Sequence, residues 1–247
     1  MIPFNGRTAL VTGGTRGIGA RIAADLAVAG ASVIATGTGA DAVAELNRGG
    51  GAKGGRVRYE VADFSTREGI ADFSKRAAMW PLDVLVNNAG INRLHPVGEL
   101  PEEDWELVRT VNLDGPVLLT NAVAPGMKAR GYGRIVNIGS IFGVVSRAQR
   151  AIYSTTKFGL FGFTRATALD LASYGVLANS VSPGFVRTDL TERVLGREAM
   201  EALTDDIPVG RLAEPADIAS VVLFLSSSLN TYLTGQNVVV DGGFTSV

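Results

Sequence analysis

The chain has 247 residues, 46% of them apolar and 19% charged, and α/β units of this length are routinely single, so one domain over 1–247 is expected. It contains no cysteine, which excludes disulfides, thiolate metal sites, iron–sulfur clusters and cysteine nucleophiles. Its one histidine, His95, excludes a multi-histidine metal centre and would have to carry a Ser-His-Asp hydrolase alone, while 23 Lys plus Arg against 24 Asp plus Glu lack the basic excess that nucleic acid demands.

Short apolar runs alternate with longer amphipathic stretches, the pattern of repeated βα units around a doubly wound parallel sheet with helices on both faces, a Rossmann-like α/β architecture. Strands are predicted at Thr8–Val11, Ser32–Ala35, Val57–Val61, Val84–Val86, Ile135–Ile138, Leu177–Val181 and Asn237–Val240, mostly continuous Val/Ile/Leu/Ala runs suited to a sheet covered on both sides. Helices are predicted near 18–29, 41–47, 67–78, 102–126, 152–173 and 215–225. The glycines at 49–51 and 54–55 read as a surface loop, and the irregular stretch 188–209 reads as a mobile lid over the ligand crevice or as an ordinary surface segment. No apolar run approaches the roughly 20 residues that span a bilayer, and the first residues lack a basic-then-apolar leader, so a cytoplasmic location without membrane contact is expected.

Chemistry gathers at a few places. Immediately after the first strand, Gly13, Thr15, Arg16, Gly17, Ile18 and Gly19 form a glycine-rich turn that opens a helix. Such a turn lets backbone approach a pyrophosphate at the positive end of a helix, although it also occurs without a ligand. The second strand ends Ala35-Thr36-Gly37-Thr38 with no carboxylate until Asp41. Nothing there would repel a 2′-phosphate, and Arg16 with Thr38 offers donors to one, so NADP is favoured over NAD.

Tyr153 and Lys157 lie four apart at the start of a helix, hence on one face, and a phenol needs a neighbouring cation to trade protons near neutral pH. Ser140 closes the fifth strand, where a hydroxyl faces a substrate carbonyl or merely caps a turn. Asn112 sits in a helical stretch four residues before Pro116, which has no N–H, so its backbone carbonyl loses the usual i+4 donor. That conflict marks a functional site or a simple kink.

Taken together, these residues resemble the short-chain dehydrogenase/reductases over essentially the whole chain, most nearly the bacterial 3-oxoacyl-acyl-carrier-protein reductases and related ketoreductases. The resemblance implies seven parallel strands, a homotetramer, and hydride transfer between a nicotinamide and a ketone or secondary alcohol. By likeness Tyr153 is the acid/base, Ser140 orients the carbonyl, Lys157 holds the nicotinamide ribose and acidifies the tyrosine, and Asn112 anchors a water. Asp63 and Phe64 flank the adenine, Asn88, Ala89 and Gly90 the adjoining ribose, and Val186 and Thr188 the nicotinamide amide, while Pro183 and Gly184 also belong to the cofactor site. Arg16 and Thr38 match positions associated with NADP.

The substrate is less determined. Relatives that act on carrier proteins dock them with bases on two neighbouring helices; Lys128, Arg130 and Arg134 supply the first patch, but the second helix ends Asp170-Leu171-Ala172-Ser173-Tyr174-Gly175 without one. Arg147, Arg150, Arg93 or His95 could bind an anionic group of a small substrate, or could be solvated loop charge. The competing functions are an NAD-dependent alcohol or sugar-alcohol dehydrogenase and a non-catalytic dinucleotide-binding subunit.

Overall fold

A computed structural model describes residues 3–49, 56–188, 191 and 203–246. Seven strands form one wholly parallel sheet: β1 (Thr8–Val11), β2 (Ser32–Gly37), β3 (Val57–Val61), β4 (Val84–Asn87), β5 (Gly133–Ile138), β6 (Val176–Pro183) and β7 (Asn237–Val240). Their spatial order is β3-β2-β1-β4-β5-β6-β7. Chain direction across the sheet therefore reverses between β1 and β4, and a crevice opens there beyond the strands' carboxyl ends.

The period-2 alternation of the strands sorts their side chains into two cores. Ala9 and Val11 of β1 with Val84 and Val86 of β4 meet Ile22 and Leu26 of α1 (Gly17–Val28), Val43 of α2 (Ala40–Arg48) and Ile218 and Val222 of α7 (Pro215–Ser226). The residues between them, Leu10 and Leu85, meet Ile70 and Phe73 of α3 (Arg67–Ala78), Leu119 and Val123 of α5 (Gly115–Arg130), and Ala168 and Leu171 of α6 (Ala151–Leu171). Both faces are thus covered, which is why the central strands read as unbroken apolar runs.

The predicted strands sit where expected, but four extend further. β2 reaches Gly37, β4 reaches Asn87, β5 starts at Gly133 and β6 spans Val176–Pro183. These ends are glycine, proline and asparagine, which read as turn residues, yet the ladder continues through Gly37↔Val61, Asn87↔Asn137 and Pro183↔Val240. The predicted helix over 102–126 is in fact three pieces: α4 (Glu102–Arg109), a π-turn at Thr110–Asp114, and α5, which runs past Pro125 until Gly131 ends it with φ +65°. The break that Pro116 signals takes the form of a widened turn, in which Gly115 N–H bonds the Thr110 carbonyl five residues back. The loop expected at 49–55 falls almost wholly outside the described residues, as does most of the 188–209 segment expected as a lid.

Where β4 and β5 face α5 and α6, the core is polar. Asn87 Nδ2 donates to Thr120 Oγ1 (3.1 Å) and Asn137 Oδ1 (2.8 Å), Asn137 Nδ2 donates to Thr164 Oγ1 (2.8 Å), and Thr164 donates on to the Leu160 carbonyl (2.8 Å). The chain of bonds fixes α6 against the ends of β4 and β5, so the first turns of α6 project over the crevice. Asn137→Ala leaves Asn87 and Thr164 short of partners in a dry layer and is expected to cost about 2–4 kcal/mol of stability. A urea denaturation curve checks this; an unchanged midpoint would show that the network carries no stability.

Candidate active site

The crevice holds a cleft of about 590 Å³ that runs along the carboxyl ends of β1 to β6. At one end the chain leaves β1 through Gly13 (φ +62°) and enters α1 at Gly17 (φ +54°), two left-handed positions that glycine adopts without strain. A Cβ on Gly13 would lie 3.0 Å from the Ala89 Cα, and one on Gly19 would collide with the Gly13 carbonyl and the Asn88 side chain. The turn is stitched to the end of β4: Thr12 Oγ1 accepts from the Asn88 and Ala89 N–H groups (2.9 and 3.0 Å), and Asn88 Nδ2 donates to the Thr12 and Gly13 carbonyls (2.9 and 3.1 Å). Thr36 Oγ1 accepts from Gly13 N (3.1 Å). Thr12 and Thr36 are framing residues that the motif reading passed over, because only their cross-strand partners give them a role.

Thr15, Arg16, Gly17, Ile18 and Gly19 line this end with Thr38, Asp63, Phe64, Asn88, Ala89 and Gly90. Arg16 and Thr38 are exposed at its rim, and among the described residues no carboxylate pairs with Arg16. The residues fit a dinucleotide: the backbone at Gly13 and Gly19 packs too closely for a Cβ, α1 presents its N-terminus, and Arg16 offers a guanidinium that no carboxylate among the described residues claims. Pro183, Gly184, Val186 and Thr188 line the other end.

The chemical groups meet between the two. Tyr153, in the first turn of α6, opens onto the cleft with Ser140 and Lys157. Ser140 caps the short 3-10 turn Ile141–Gly143, its Oγ accepting from Phe142 N (3.1 Å), and its hydroxyl beside Tyr153 favours the charged form of the phenol. Ser140 is thus a cap, as one sequence reading had it, and it also lines the cleft. Lys157 is 4% exposed, its Nζ donating to the Ile138 carbonyl at 2.8 Å and lying 5.5 Å from the centre of the Tyr153 ring.

Of the predicted site residues only Asn112 does not line the cleft. It is fully buried in the π-turn, where Oδ1 accepts from Ile91 N and Nδ2 donates to Ile91 O, both at 2.9 Å. It nevertheless belongs to the same cluster, since a Cβ on Gly90 would lie 3.5 Å from Asn112 Oδ1 and 3.7 Å from Lys157 Nζ.

Burial pushes the Lys157 ammonium down to about 8 and raises the Tyr153 phenol above its ordinary value. The phenol departs from the sequence expectation, which had Lys157 making it acidic. Desolvation outweighs the opposing influences, and those are the Ser140 hydrogen bond and the charge of Arg150. At neutral pH the tyrosine is a protonated donor beside a charged lysine.

The possible anion-binding bases are also sorted. His95 Nε2 lies 2.7 Å and Arg93 Nε 3.5 Å from the two oxygens of Asp104, so both are held by one carboxylate. Arg134 of the expected docking patch is buried and donates to the Ser227 and Asn230 carbonyls (3.3 and 2.9 Å). Arg130 bonds the Leu82 carbonyl, and Lys128 lies 4.0 Å over the Tyr174 ring.

This geometry has close parallels among known proteins. The family model described as enoyl-(acyl carrier protein) reductase matches residues 13–245. The chain belongs to the short-chain dehydrogenase/reductase family. It is 42% identical to a 3-oxoacyl-[acyl-carrier-protein] reductase of Aquifex aeolicus, with 98% of each chain covered, and 38% identical to that of Escherichia coli, over 97% and 98%. Among solved structures, one from Beutenbergia cavernae with bound NADP superposes with a TM-score of 0.91 at 38% identity, over 99% of both chains. A gluconate 5-dehydrogenase from Burkholderia cenocepacia in complex with NADP and tartrate gives 0.87 at 34%, over 99% and 97%. The chain is accordingly an oxidoreductase acting on CH–OH or C=O groups with a nicotinamide dinucleotide.

Because kcat/KM reports ionisations of the free enzyme, the reductive kcat/KM is expected to hold below pH 8 and to fall as pH rises through about 8, where Lys157 loses its charge. The phenol, raised by burial, stays protonated across that range. A profile flat to well above pH 9 would contradict the assignment of Lys157.

Proposed function

We propose that this chain is an NADP-dependent reductase of a ketone carried by a small molecule, reversible as a secondary-alcohol dehydrogenase, and that one domain holds both dinucleotide and substrate. The observation that carries the reading is the continuity of the cleft, which joins the glycine turn and Arg16 at one end to Ser140, Tyr153 and Lys157 at the other. Bound NADP in two structural relatives supports the choice of dinucleotide, as do Arg16 and Thr38 beside a β2 end without a carboxylate.

The residues divide the work. Gly13, Gly17 and Gly19 admit the pyrophosphate against backbone at the start of α1, and Arg16 and Thr38 donate to the 2′-phosphate. Asp63 and Phe64 border the adenine, and Asn88, Ala89 and Gly90 the adjoining ribose. Pro183, Gly184, Val186 and Thr188 close around the carboxamide. When bound, the reduced nicotinamide supplies a hydride to the carbonyl carbon. Ser140 hydrogen-bonds the carbonyl oxygen and aligns it with the phenol. Tyr153 O–H gives its proton to that oxygen as charge develops there. Lys157 holds a ribose hydroxyl and keeps a positive charge beside the phenol, while Asn112 pins Ile91 and the floor of the cleft and anchors the water through which Tyr153 recovers a proton.

Of the bases that would greet an acidic carrier, Arg134 is buried and donates to four backbone carbonyls, and Arg130 bonds the Leu82 carbonyl. This favours a free small-molecule ketone over a carrier-borne acyl group. Exposed Phe158 and Leu169 on α6, at 46% and 83%, with Phe224 on α7 support association of copies, proposed as a homotetramer. A chain without cysteine suits the reducing cytoplasm, the proposed location; among the described residues no helix is long and apolar enough to cross a membrane.

The test is NADPH oxidation with a small 3-oxo ester and with the same acyl group on a carrier protein, for the natural chain and Tyr153→Phe. The natural chain is expected to turn over the free ester at least as fast as the carrier form. Tyr153→Phe is expected to lose at least a hundredfold in kcat while binding NADPH normally. Near-normal turnover by Tyr153→Phe, or activity on the carrier form alone, would overturn the reading.

A further inference from the structure

Arg150 does nothing in the scheme above, yet it is one of the more costly residues to place. It sits immediately before α6, three residues ahead of Tyr153, and is 6% exposed. Among the described residues no carboxylate pairs with its guanidinium and no acceptor hydrogen-bonds it. Its one side-chain contact is apolar: the guanidinium carbon lies 4.8 Å over the Phe142 ring. Phe142 in turn packs edge-on against Tyr153, with ring centres 6.5 Å apart, and belongs to the apolar cluster of Ile141, Phe185 and Leu212 that Tyr153 joins. Burying a cation without a counter-charge is unfavourable unless something repays it.

Among the described residues, the charged groups around this point leave one candidate for the missing anion. Lys157, one turn along α6, is a cation, and so is Arg147 in the loop before Arg150. The neighbouring loop approaches through His95, whose backbone N–H bonds the Gln149 carbonyl, but His95, Arg93 and Asp104 satisfy one another. Ser140 and Phe142, which pack on the phenol from the end of β5, carry no charge. The group that can become negative beside Arg150 is the Tyr153 phenol, and the attraction acts on both: Tyr153 raises Arg150 and Arg150 lowers Tyr153 against their burial.

We propose that Arg150 is a positioning residue for the proton transfer, a buried guanidinium held on Phe142 to stabilise the negative charge that Tyr153 acquires when its O–H proton leaves. The inference rests on the reductase reading above. In reduction the O–H bond of Tyr153 breaks, its proton joins the substrate oxygen, the hydride from the reduced nicotinamide joins the carbon, and the phenolate is left with Arg150 and Lys157 as neighbouring cations. In alcohol oxidation the same phenolate accepts the hydroxyl proton.

The experiment compares the natural chain, Arg150→Gln and Arg150→Lys in two readouts. The first is the acid limb of kcat/KM for alcohol oxidation. The second is the tyrosinate ultraviolet absorbance on alkaline titration, with Tyr153→Phe subtracted to isolate the one phenol, which needs no turnover. Removing the charge in Arg150→Gln is expected to move both midpoints upward by about one pH unit, and Arg150→Lys, which keeps the charge but not the flat stack, to stay within about a third of a unit. A merely structural Arg150 lowers thermal stability in both variants and leaves both midpoints in place, which overturns the proposal. If Arg150→Gln fails to fold, Arg150→Met, which removes the charge but keeps an apolar stem against Phe142, takes its place: an upward move of both midpoints by about one unit supports the proposal, and unmoved midpoints overturn it. Absence of turnover in the natural chain refutes the reductase reading but leaves the absorbance titration to judge Arg150.

Discussion

One buried ammonium organises the chemical end of this protein. Lys157 has almost no exposure, and its Nζ is held by the carbonyl of Ile138, the last residue of β5. An ammonium keeps its charge in so dry a place only if backbone carbonyls and nearby developing negative charge offset the lost hydration. That bond ties the second turn of α6 to the sheet edge and thereby fixes where Tyr153, one turn earlier, opens on the cleft. The asparagine and threonine bonds deeper between β4, β5, α5 and α6 serve the same end, leaving the helix no freedom to roll.

The phenol is set by opposing influences, of which burial is the largest. Its apolar neighbours Phe142 and Phe185 make the charged form costly, while Ser140 and Arg150 each favour it. A group held in this way is a donor at rest and becomes a base only when the site around it is complete. Proton transfer is thereby coupled to assembly of the site, and an idle enzyme does not hold a reactive phenolate.

The sequence revealed most of this, and the reasons for the gaps are physical. Continuous apolar strands and the strand–turn–helix setting of Gly13 to Gly19 announce a covered parallel sheet and a dinucleotide turn, because local backbone needs dictate those residues. The Tyr153–Lys157 spacing is likewise local. Strand ends at Gly37, Asn87 and Pro183 were hidden, since such residues also make turns and only the partner strand decides. Pro116 signalled a break near Asn112 but not its form; the π-turn depends on Ile91, 21 residues away, offering both backbone groups to the Asn112 side chain. Charge was least legible. Arg134 read as part of a surface patch and is buried, and Arg150 read as an anion-binding base or as solvated loop charge and is buried with its guanidinium over the Phe142 ring, because burial of a long cation is decided by tertiary packing.

The most direct test is an NMR titration of the Lys157 side-chain nitrogen in the free protein, made tractable by a chain with only four lysines. The account predicts a midpoint near pH 8 for Lys157. A midpoint at the ordinary lysine value of 10.5 would place the ammonium in water, and the described seat for the phenol would be wrong.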